Sequence, residues 1–362
     1  MDNAGMYKKI YIYGAHGRGR TLKKYLQTLN SDIEVEAYLV DDGAENPEVI
    51  EEVPVYAVNE LNELKNIPVF VATKMVYHEK IAQSLSRFDV KTIVWNTPQT
   101  DNAIKKMYFK KVFKECGREL KMLEDYQAES FNVKNDICSI YMVKSVFDTA
   151  NIEDRQTEPW IKEIQAGAAL TDKRIAPVSD STGENISIKN RQYCELTAIY
   201  WLWKNLKKDY VGVCHYRRRF VLNEDMLRGL EKYDIDVVLP VPTGCEPSVE
   251  ENYYQRHRAG DWNMMLEVIR EYYPEYYSEA QRVFKGNYYY ACNMWIMKYP
   301  VLDKFAAWLF DILGKIEEKI NNTDTSYQGR YIGFLAERLT TLYFIVHWDN
   351  YNIVHADKLF LK

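Results

Sequence analysis

Short apolar runs and helical patterns alternate over the first hundred residues of the chain. Four β-rich runs predict strands at Lys9–Tyr13, Glu34–Val40, Val69–Thr73 and Thr92–Trp95, with helical segments between them. Strands that alternate with helices are typical of βαβ units, in which a parallel sheet is covered by helices. The pattern therefore predicts a small α/β domain with a parallel sheet over residues 1–98.

A glycine-rich turn follows the first strand, and an acidic residue ends the second. The candidate nucleotide-binding residues of this domain are Gly14, Gly17, Gly19 and Asp41. Glycines at such a turn and an acid after the second strand are the positions that bind a dinucleotide. The spacing is GxxGxG rather than GxGxxG, however, and glycines also serve to let a helix approach a sheet. Both interpretations stay open at this point.

The segment Thr100–Ser130 reads as one long helix, and residues 99–135 are predicted to connect two domains. Ile104, Met107, Tyr108, Val112 and Phe113 are expected on one face and five lysines on the other. A basic amphipathic helix can lie on an anionic membrane leaflet at about 1 kcal/mol per nearby lysine. The alternative is a helix docked on a domain with its lysines in solvent.

Residues 136–362 predict a second α/β domain. Its expected strands are Ile137–Val143, Tyr210–Val213, Asp236–Val241, Tyr288–Met297 and Ile353–Leu361, and its expected helices are Tyr193–Leu206, Glu250–Phe284, Val301–Ile320 and Arg330–His347.

Composition narrows the function classes. The net charge of −5 over 362 residues gives no nucleic-acid signature. The six cysteines are scattered without metal-ligand spacing. The first residues lack a signal-peptide pattern and no window approaches 18 apolar residues, so we expect a cytoplasmic protein. The 29 tyrosines and 8 tryptophans offer flat aromatic faces of the kind that cover sugar rings.

The stretch from Asp180 to Phe220 concentrates the polar chemistry. A polar loop precedes an amphipathic helix, and the next strand ends in a cationic run from His215 to Arg219. Such charges beside a buried strand are costly unless an anion or a carboxylate meets them. Ion pairs with Asp234, Asp236 or Glu195 are the structural alternative to a ligand. The anion that we expect to bind here is a nucleotide-sugar diphosphate. The candidate residues for binding this sugar donor are Asp180, Thr182, Asn185, Ser187, Asn190, His215, Arg217 and Arg218, although the loop residues also suit helix capping.

The second domain resembles the bacterial DUF4422 family of capsular and exopolysaccharide glycosyltransferases, which includes galactofuranosyltransferases. The matching runs are IQAGAALTD (164–172), DSTGENISIKNRQYCELTAIYWLWKN (180–205), YVGVCHYRRRF (210–220), NMWIMK (293–298), WLFDIL (308–313) and RYIGFLAERL (330–339). The first domain similarly resembles the Rossmann-like N-terminal domain of bacterial sugar acyltransferases, on the runs YGAHGRG, YLVDD, VPVYAVNEL and VFVAT. The fold class expected is therefore α/β, with a Rossmann-like domain followed by a GT-A-like glycosyltransferase domain. One departure is Val143-Lys144, where the family tends to carry His-Lys.

The resemblance also implies roles for single residues. Asn293 is similar to the asparagine that GT-A enzymes aim at the donor sugar. Glu337, followed by Arg338, is our first choice of general base for the acceptor hydroxyl, with Asp261 and Glu195 as alternatives. The residues expected to line the acceptor groove are His257, Arg258 and Arg338. No Asp-x-Asp follows the central strand, so we expect no required cofactor and arginine and histidine side chains on the diphosphate, while dependence on a divalent metal stays open.

The resulting hypothesis is a glycosyltransferase that uses a UDP-sugar, with UDP-galactofuranose as one candidate and inversion preferred over retention, which stays open. Its expected acceptor is a lipid-linked oligosaccharide, reached from the cytoplasm at the inner face of the plasma membrane. An NAD-linked enzyme run by the first domain is one alternative, weakened by the GxxGxG spacing. A non-catalytic carbohydrate- or nucleotide-binding component of the polysaccharide machinery is another. The oligomeric state is left open.

Overall fold

The chain forms two compact units in a computed structural model that describes residues 7–41, 46–129, 138–148, 158–321 and 324–360. The first unit comprises residues 1–119 with 244–246, and the second comprises 120–243 with 247–362. The division thus falls between the two predicted boundaries, and the one at 135/136 lies outside the described residues.

The first unit is a six-stranded sheet with helices between its strands. Its described elements are β1 (Lys9–Tyr13), α1 (Gly17–Leu29), β2 (Glu34–Val40), β3 (Val49–Ile50), β4 (Val53–Ala57), β5 (Val69–Val71), α2 (His78–Leu85), β6 (Ile93–Val94) and α3 (Pro98–Glu115). The strand order is β3-β4-β2-β1-β5-β6, and only the β3–β4 pair is antiparallel. The predicted parallel sheet is confirmed, while β3 and β4 were not predicted.

Strand β1 lies at the centre because both of its faces are apolar. Ile10 and Ile12 pack on one side of the sheet, and Tyr11 and Tyr13 pack on the other. Residues that alternate along a strand point to opposite faces, so a strand buried on both sides needs an unbroken apolar run.

Helix α3 is shorter than the sequence suggested. It ends at Glu115, and the N–H groups of Gly117 and Arg118 return to the carbonyls of Lys114 and Phe113. Gly117 has a φ of +70°, which glycine adopts readily and which ends a helix. The predicted continuation to Ser130 is therefore wrong. The predicted apolar face is right at Tyr108 and Phe113, which are buried, and wrong at Met107, which is 48% exposed; Phe109 is buried as well.

The second unit is built on a larger mixed sheet. Its described elements are β7 (Cys138–Lys144), β8 (Ile161–Gln165), β9 (Val178–Ser179), α4 (Asn190–Tyr193), α5 (Leu196–Asn205), β10 (Tyr210–His215), β11 (Arg218–Phe220), α6 (Glu224–Lys232), β12 (Val237–Pro240), β13 (Thr243–Gly244), α7 (Val249–Tyr254), α8 (Ala259–Tyr272), α9 (Pro274–Lys285), β14 (Tyr288–Tyr289), β15 (Trp295–Lys298), α10 (Tyr299–Ile320), α11 (Tyr331–Val346), β16 (Ile353–Ala356) and β17 (Lys358–Phe360). The main strand order is β16-β12-β15-β10-β7-β8-β9, with β11 pairing β10 and β17.

The strand directions decide which residues share an edge. Strands β7, β8, β9 and β10 are mutually parallel, β12 is parallel to β16, and β15 runs antiparallel between β10 and β12. The carboxyl ends of the parallel strands and the start of β15 therefore lie at one edge, the carboxyl edge of the second sheet. The predicted α/β fold class is confirmed.

The predicted strand Tyr288–Met297 is interrupted before β15. Cys292 and Asn293 have φ values of 81° and 45°, which no strand accommodates. The chain turns there, so Asn293 comes to the carboxyl edge instead of being held inside a strand. Among the described residues, no helix combines the length and apolar character needed to cross a membrane.

Candidate functional site

Polar side chains from four separate segments meet at the carboxyl edge, around the turn before β15. His215 Nε2 lies 2.6 Å from the carbonyl oxygen of Cys292, and Asn293 Nδ2 donates to Glu195 Oε1 at 2.8 Å. Glu337 Oε1 accepts from the N–H of Cys292 at 2.6 Å. We call these five residues the edge cluster. The β10 end, the start of α5, the turn and α11 each contribute to it.

The backbone of this region is strained at three non-glycine residues. Cys292, Asn293 and Cys194, which directly precedes Glu195, all have positive φ. Such conformations cost about 1–3 kcal/mol each and persist where neighbouring contacts enforce them. Here Glu337 holds the N–H of Cys292, and Asn190 Nδ2 holds the carbonyl of Cys194 at 2.7 Å. Strain of this kind points to a functional role for the cluster.

The edge cluster leaves hydrogen-bonding capacity for a ligand. Glu195 Oε1 takes the Asn293 amide and lies 3.9 Å from His215 Nε2. Glu195 Oε2 has no hydrogen-bond partner within the described part of the chain. Because a carbonyl only accepts, the contact with Cys292 requires a hydrogen on Nε2 of His215.

Two arginines beside the cluster have no carboxylate partner among the described residues. The Arg217 guanidinium lies over the Tyr216 ring at 4.9 Å, and the Arg218 guanidinium lies over Phe360 at 4.6 Å. Asp234 and Asp236, proposed above as ion-pair partners, bind Lys298 instead. Arg219 differs, because it is buried in β11 and paired with Glu158 at 2.9 Å. Arg217 and Arg218 are therefore available to an anionic ligand.

Asp148, which the sequence analysis missed, lies close to this cationic group. Burial raises the pKa of Asp148, and this outweighs the lowering by the Ser145 N–H and by the charges of His215, Arg330 and Arg217. Burial, and after it the nearby charge of Asp148, raises the pKa of the Tyr216 hydroxyl. Its place just after β7, at the carboxyl edge, is the signal that could have identified it.

Arg330 was missed as well. Its Nε donates to Cys194 Sγ at 3.0 Å, so this arginine braces the strained residue next to Glu195. Only the fold brings residues so distant in sequence together.

The polar side chains of the loop after β9 mainly form hydrogen bonds that hold the loop and its neighbours in place. Asp180 is fully buried and accepts from the N–H groups of Gly167 and Ala168 and from Ser187 Oγ. Thr182 accepts from Trp201 Nε1, and Asn185 accepts from the Ser187 N–H. Asn190 alone reaches the strained region, through the carbonyl of Cys194. These contacts are those of a folded scaffold, and the donor-binding role of the five residues stays a prediction.

Arg338 orients Glu337 rather than facing solvent. Its side chain is 2% exposed, lies over the Tyr289 ring at 4.4 Å, and donates to Glu337 Oε2 at 2.7 Å. The Glu337 carboxylate is thus held from both sides, by Arg338 and by the Cys292 N–H.

The remaining acceptor candidates form a separate aromatic group. His257 stacks on Phe334 with centroids 3.9 Å apart, and burial lowers the pKa of His257 to about 4. Arg258 is paired with Asp324 at 2.6 Å. Asp261 is 5% exposed, and burial raises its pKa. Within the described residues, Asp261 makes no hydrogen bond to the edge cluster, so Glu195 is the closer alternative to Glu337.

In the first unit, backbone geometry and packing explain the presence of the predicted nucleotide-binding residues without a ligand. Gly14 has a φ of +109°, and a Cβ on Gly19 would lie 1.8 Å from the Gly14 carbonyl oxygen. Gly17 begins α1. Burial by itself would raise the pKa of Asp41, but hydrogen bonds from Tyr13 and Lys80 outweigh it and lower that pKa. Nucleotide binding by this unit stays a prediction.

Among the described residues, the side chains of the edge cluster do not form a group suited to a metal ion. No group of three His, Cys, Asp or Glu side chains suited to a metal ion occurs in the residues that the structure describes. Two clefts of about 360 and 310 Å³ lie elsewhere, one beside α5 and α10 and one beside Tyr11 and Tyr56 in the first unit.

Comparisons with known proteins agree with this architecture. A solved structure of WbbM, described as a bifunctional glycosyltransferase in its apo form, has a TM-score of 0.52 and 27% sequence identity, covering 62% of this chain and 45% of that chain. The chain thus spans less than half of the WbbM chain. A comparison with curated proteins finds no match. A family model described as a domain of unknown function, DUF4422, matches residues 150–348, which is more than half of the chain. The chain therefore belongs to the DUF4422 family.

Proposed function

We propose that this chain is a glycosyltransferase and that the edge cluster is its active site. The observation that carries the proposal is the meeting of two carboxylates, a histidine and an amide at the carboxyl edge of the sheet, beside two arginines that pair with no carboxylate in the part of the chain that the structure describes. Family membership and the similarity to WbbM support the same reaction class.

The donor in this proposal is a UDP-sugar. Transfer breaks the bond between the anomeric carbon and the diphosphate, so negative charge accumulates on the leaving UDP. Arg217 and Arg218 can each offer several N–H groups to phosphate oxygens, and His215 lies next to them. These groups can stabilise the leaving diphosphate without a divalent metal, and we propose that no other cofactor is required.

Glu337 acts as the general base. It takes the proton of the acceptor hydroxyl while that oxygen forms a bond to the anomeric carbon and UDP departs, which inverts the configuration. The contacts from Arg338 and the Cys292 N–H fix the direction in which Glu337 points. Glu195, with its unpaired Oε2, is the competing candidate for this role.

The finer substrate assignment follows the family resemblance. We propose a galactofuranosyl or related hexosyl donor and a lipid-linked oligosaccharide acceptor, in the synthesis of a bacterial capsule or exopolysaccharide at the inner face of the plasma membrane. The lysine face of α3 is the segment we propose for peripheral membrane contact.

Calorimetric titration of UDP-, GDP-, dTDP- and CMP-sugars, with and without EDTA, tests the donor site. We expect a UDP-sugar to bind, with affinity unchanged by EDTA. Arg217→Ala should weaken UDP binding by about 1.5–3 kcal/mol, the range for hydrogen bonds to charged groups. Arg282→Ala, which removes an exposed arginine of α9 paired with Glu279, is the matched control and should leave it unchanged.

A chain that binds no nucleotide sugar of this panel contradicts the proposal. Donor binding without donor hydrolysis or transfer to any acceptor would favour the non-catalytic alternative instead.

A further inference from the structure

A cleft beside α5 and α10, which we call the α5–α10 cleft, takes no part in the proposed reaction. Its volume is about 360 Å³, at the lower end of the roughly 300–1,000 Å³ of small-molecule sites. Three aromatic rings, a helical glycine and two glutamates line it: Tyr193, Tyr200, Phe310, Gly314, Glu317 and Glu318. None of these residues belongs to the edge cluster.

The aromatic rings of the cleft are fixed in place. Tyr200 and Phe310 meet edge to face at 5.0 Å, and Phe310 stacks on Trp203 with the ring planes 2° apart. The Tyr200 hydroxyl donates to Glu184, and the Tyr193 hydroxyl donates to Glu317 Oε2, both at 2.8 Å. Rings that are already immobilised cover an apolar ligand face with little further loss of side-chain entropy.

The glutamates of the cleft provide unused acceptors. Glu317 Oε2 accepts from Lys189 and Tyr193, whereas Glu317 Oε1 has no hydrogen-bond partner within the described residues. Glu318 is exposed and forms no ion pair there. Lys189 also lines the cleft, but its ammonium group is paired with Glu317 Oε2 at 2.6 Å. An ionised carboxylate only accepts hydrogen bonds, so the two glutamates suit a ligand rich in hydroxyl groups and disfavour an anion.

Gly314 provides an independent observation. It lies inside helix α10, where glycine is among the least favourable residues. A Cβ at this position would meet no atom within 4 Å, so packing does not require the glycine. The missing side chain does keep this wall of the cleft open.

We propose that the α5–α10 cleft binds a neutral sugar unit of a glycan chain, at a site separate from the edge cluster. Aromatic faces cover the apolar side of a pyranose or furanose ring, and carboxylate oxygens accept from its hydroxyl groups. Aromatic rings and carboxylates both line this cleft, whose volume is about 360 Å³. The inference does not depend on the transfer reaction, since it uses no residue of the edge cluster.

Saturation-transfer difference NMR on the full chain tests this site with methyl glycosides of galactopyranose, galactofuranose, glucose, mannose and rhamnose. At least one neutral glycoside should bind at millimolar concentration, and methyl glucuronide should bind several-fold more weakly. Gly314→Leu should reduce binding at least tenfold while its unfolding temperature stays equal or rises. Lys304→Leu, which adds a leucine on the same helix outside the cleft, should bind like the unmodified chain.

Glu318→Ala removes an exposed, unpaired side chain and is expected to fold normally. Its sugar affinity should fall several-fold, so unchanged affinity in this variant, or in Gly314→Leu, overturns the proposal. So does the absence of binding for every glycoside. UDP titration of the same samples separates the two sites: Gly314→Leu should keep the UDP affinity, and a failure of UDP to bind the unmodified chain would affect the proposed donor site alone.

Discussion

The two sheets of this protein end in carboxyl edges that are built differently. In the first unit the positive φ at the strand-to-helix turn falls on Gly14, and the acid after β2, Asp41, is held by Tyr13 and Lys80. In the second unit positive φ falls on Gly167 after β8 and also on three non-glycine residues, Cys194, Cys292 and Asn293. The acid there, Asp148, carries a raised pKa beside positively charged groups.

The two edges differ in how fully their polar groups and backbone conformations are satisfied by neighbouring residues. At the first edge the acid is hydrogen-bonded by its neighbours, and the positive φ of the turn after β1 falls on a glycine. The second keeps strained residues and an unpaired carboxylate oxygen in place with neighbouring hydrogen bonds. Unfavourable backbone conformations and unpaired polar groups occur most often at functional sites. This contrast is why we assign the reaction to the second edge.

The largest expected effect is on turnover. Glu337→Gln keeps the shape of the side chain but cannot take the acceptor proton, so turnover should fall roughly 10²–10⁴-fold. Donor binding, measured by UDP titration, should persist. Turnover within tenfold of the unmodified chain in folded protein would reject Glu337 as the base, and Glu195→Gln, measured in parallel, would then be expected to show the loss.

The glycines of the first edge should be irreplaceable for the fold. A Cβ on Gly19 would lie 1.8 Å from a backbone oxygen, so Gly19→Ala should lower the free energy of unfolding by about 3 kcal/mol, the upper range for overpacking. Gly260→Ala, in the first turn of α8, is the control, because an added Cβ there meets nothing within 4 Å. Denaturant unfolding measures both, and equal values would contradict the close approach of α1 to the sheet.

Substitution in the strained turn before β15 should change stability in the opposite direction from substitution of Gly19. Cys292→Gly relieves a positive φ, so the free energy of unfolding should rise by about 1 kcal/mol after the entropy of the unfolded glycine is subtracted. Cys292→Ala keeps the strain and should show no such gain. Turnover should fall several-fold in the glycine variant because the turn that orients Asn293 is loosened. A glycine variant that is less stable than the alanine variant would argue against strain at this turn.

The smallest effects concern pH. The pKa of Asp41 is lowered in the folded chain, so its carboxylate stabilises the fold at neutral pH and loses that effect as the pH falls through the lowered value. The pKa of Asp148 is raised, so its carboxylate costs stability at neutral pH and the cost disappears on acidification through the raised value.

Asp41→Asn should therefore destabilise slightly at pH 7 and Asp148→Asn should stabilise, each on the order of 0.5 kcal/mol given partial exposure. Both differences should shrink toward pH 3 in denaturant titrations. If the two substitutions changed the free energy of unfolding at pH 7 in the same direction, the two edges would not differ electrostatically as described.

Sequence patterns were most accurate for the buried central strands of the first unit. The bounds of β1 and β2 match the structure, because strands buried on both faces leave continuous apolar runs. The turn at Cys292 and Asn293 was read as strand, since neither residue signals a positive φ as glycine does. Asp148 and Arg330 were missed because only long-range pairing brings them to His215 and Cys194. His215 was found from the cationic run that follows a buried strand and Glu337 through family resemblance, while their actual partners required the fold.

The antiparallel placement of β15 has a consequence for how the protein folds. β15 fills the gap between β10 and β12, which precede it in the chain by some eighty and sixty residues. Such non-local pairing is slow to form, since loop closure comes before the contacts that reward it. The turn that carries Asn293 cannot reach Glu195 until that gap is filled. Chains caught during synthesis or refolding would therefore hold most of their helices and none of the assembled edge cluster, so recovery of donor binding reports on the last steps of sheet closure.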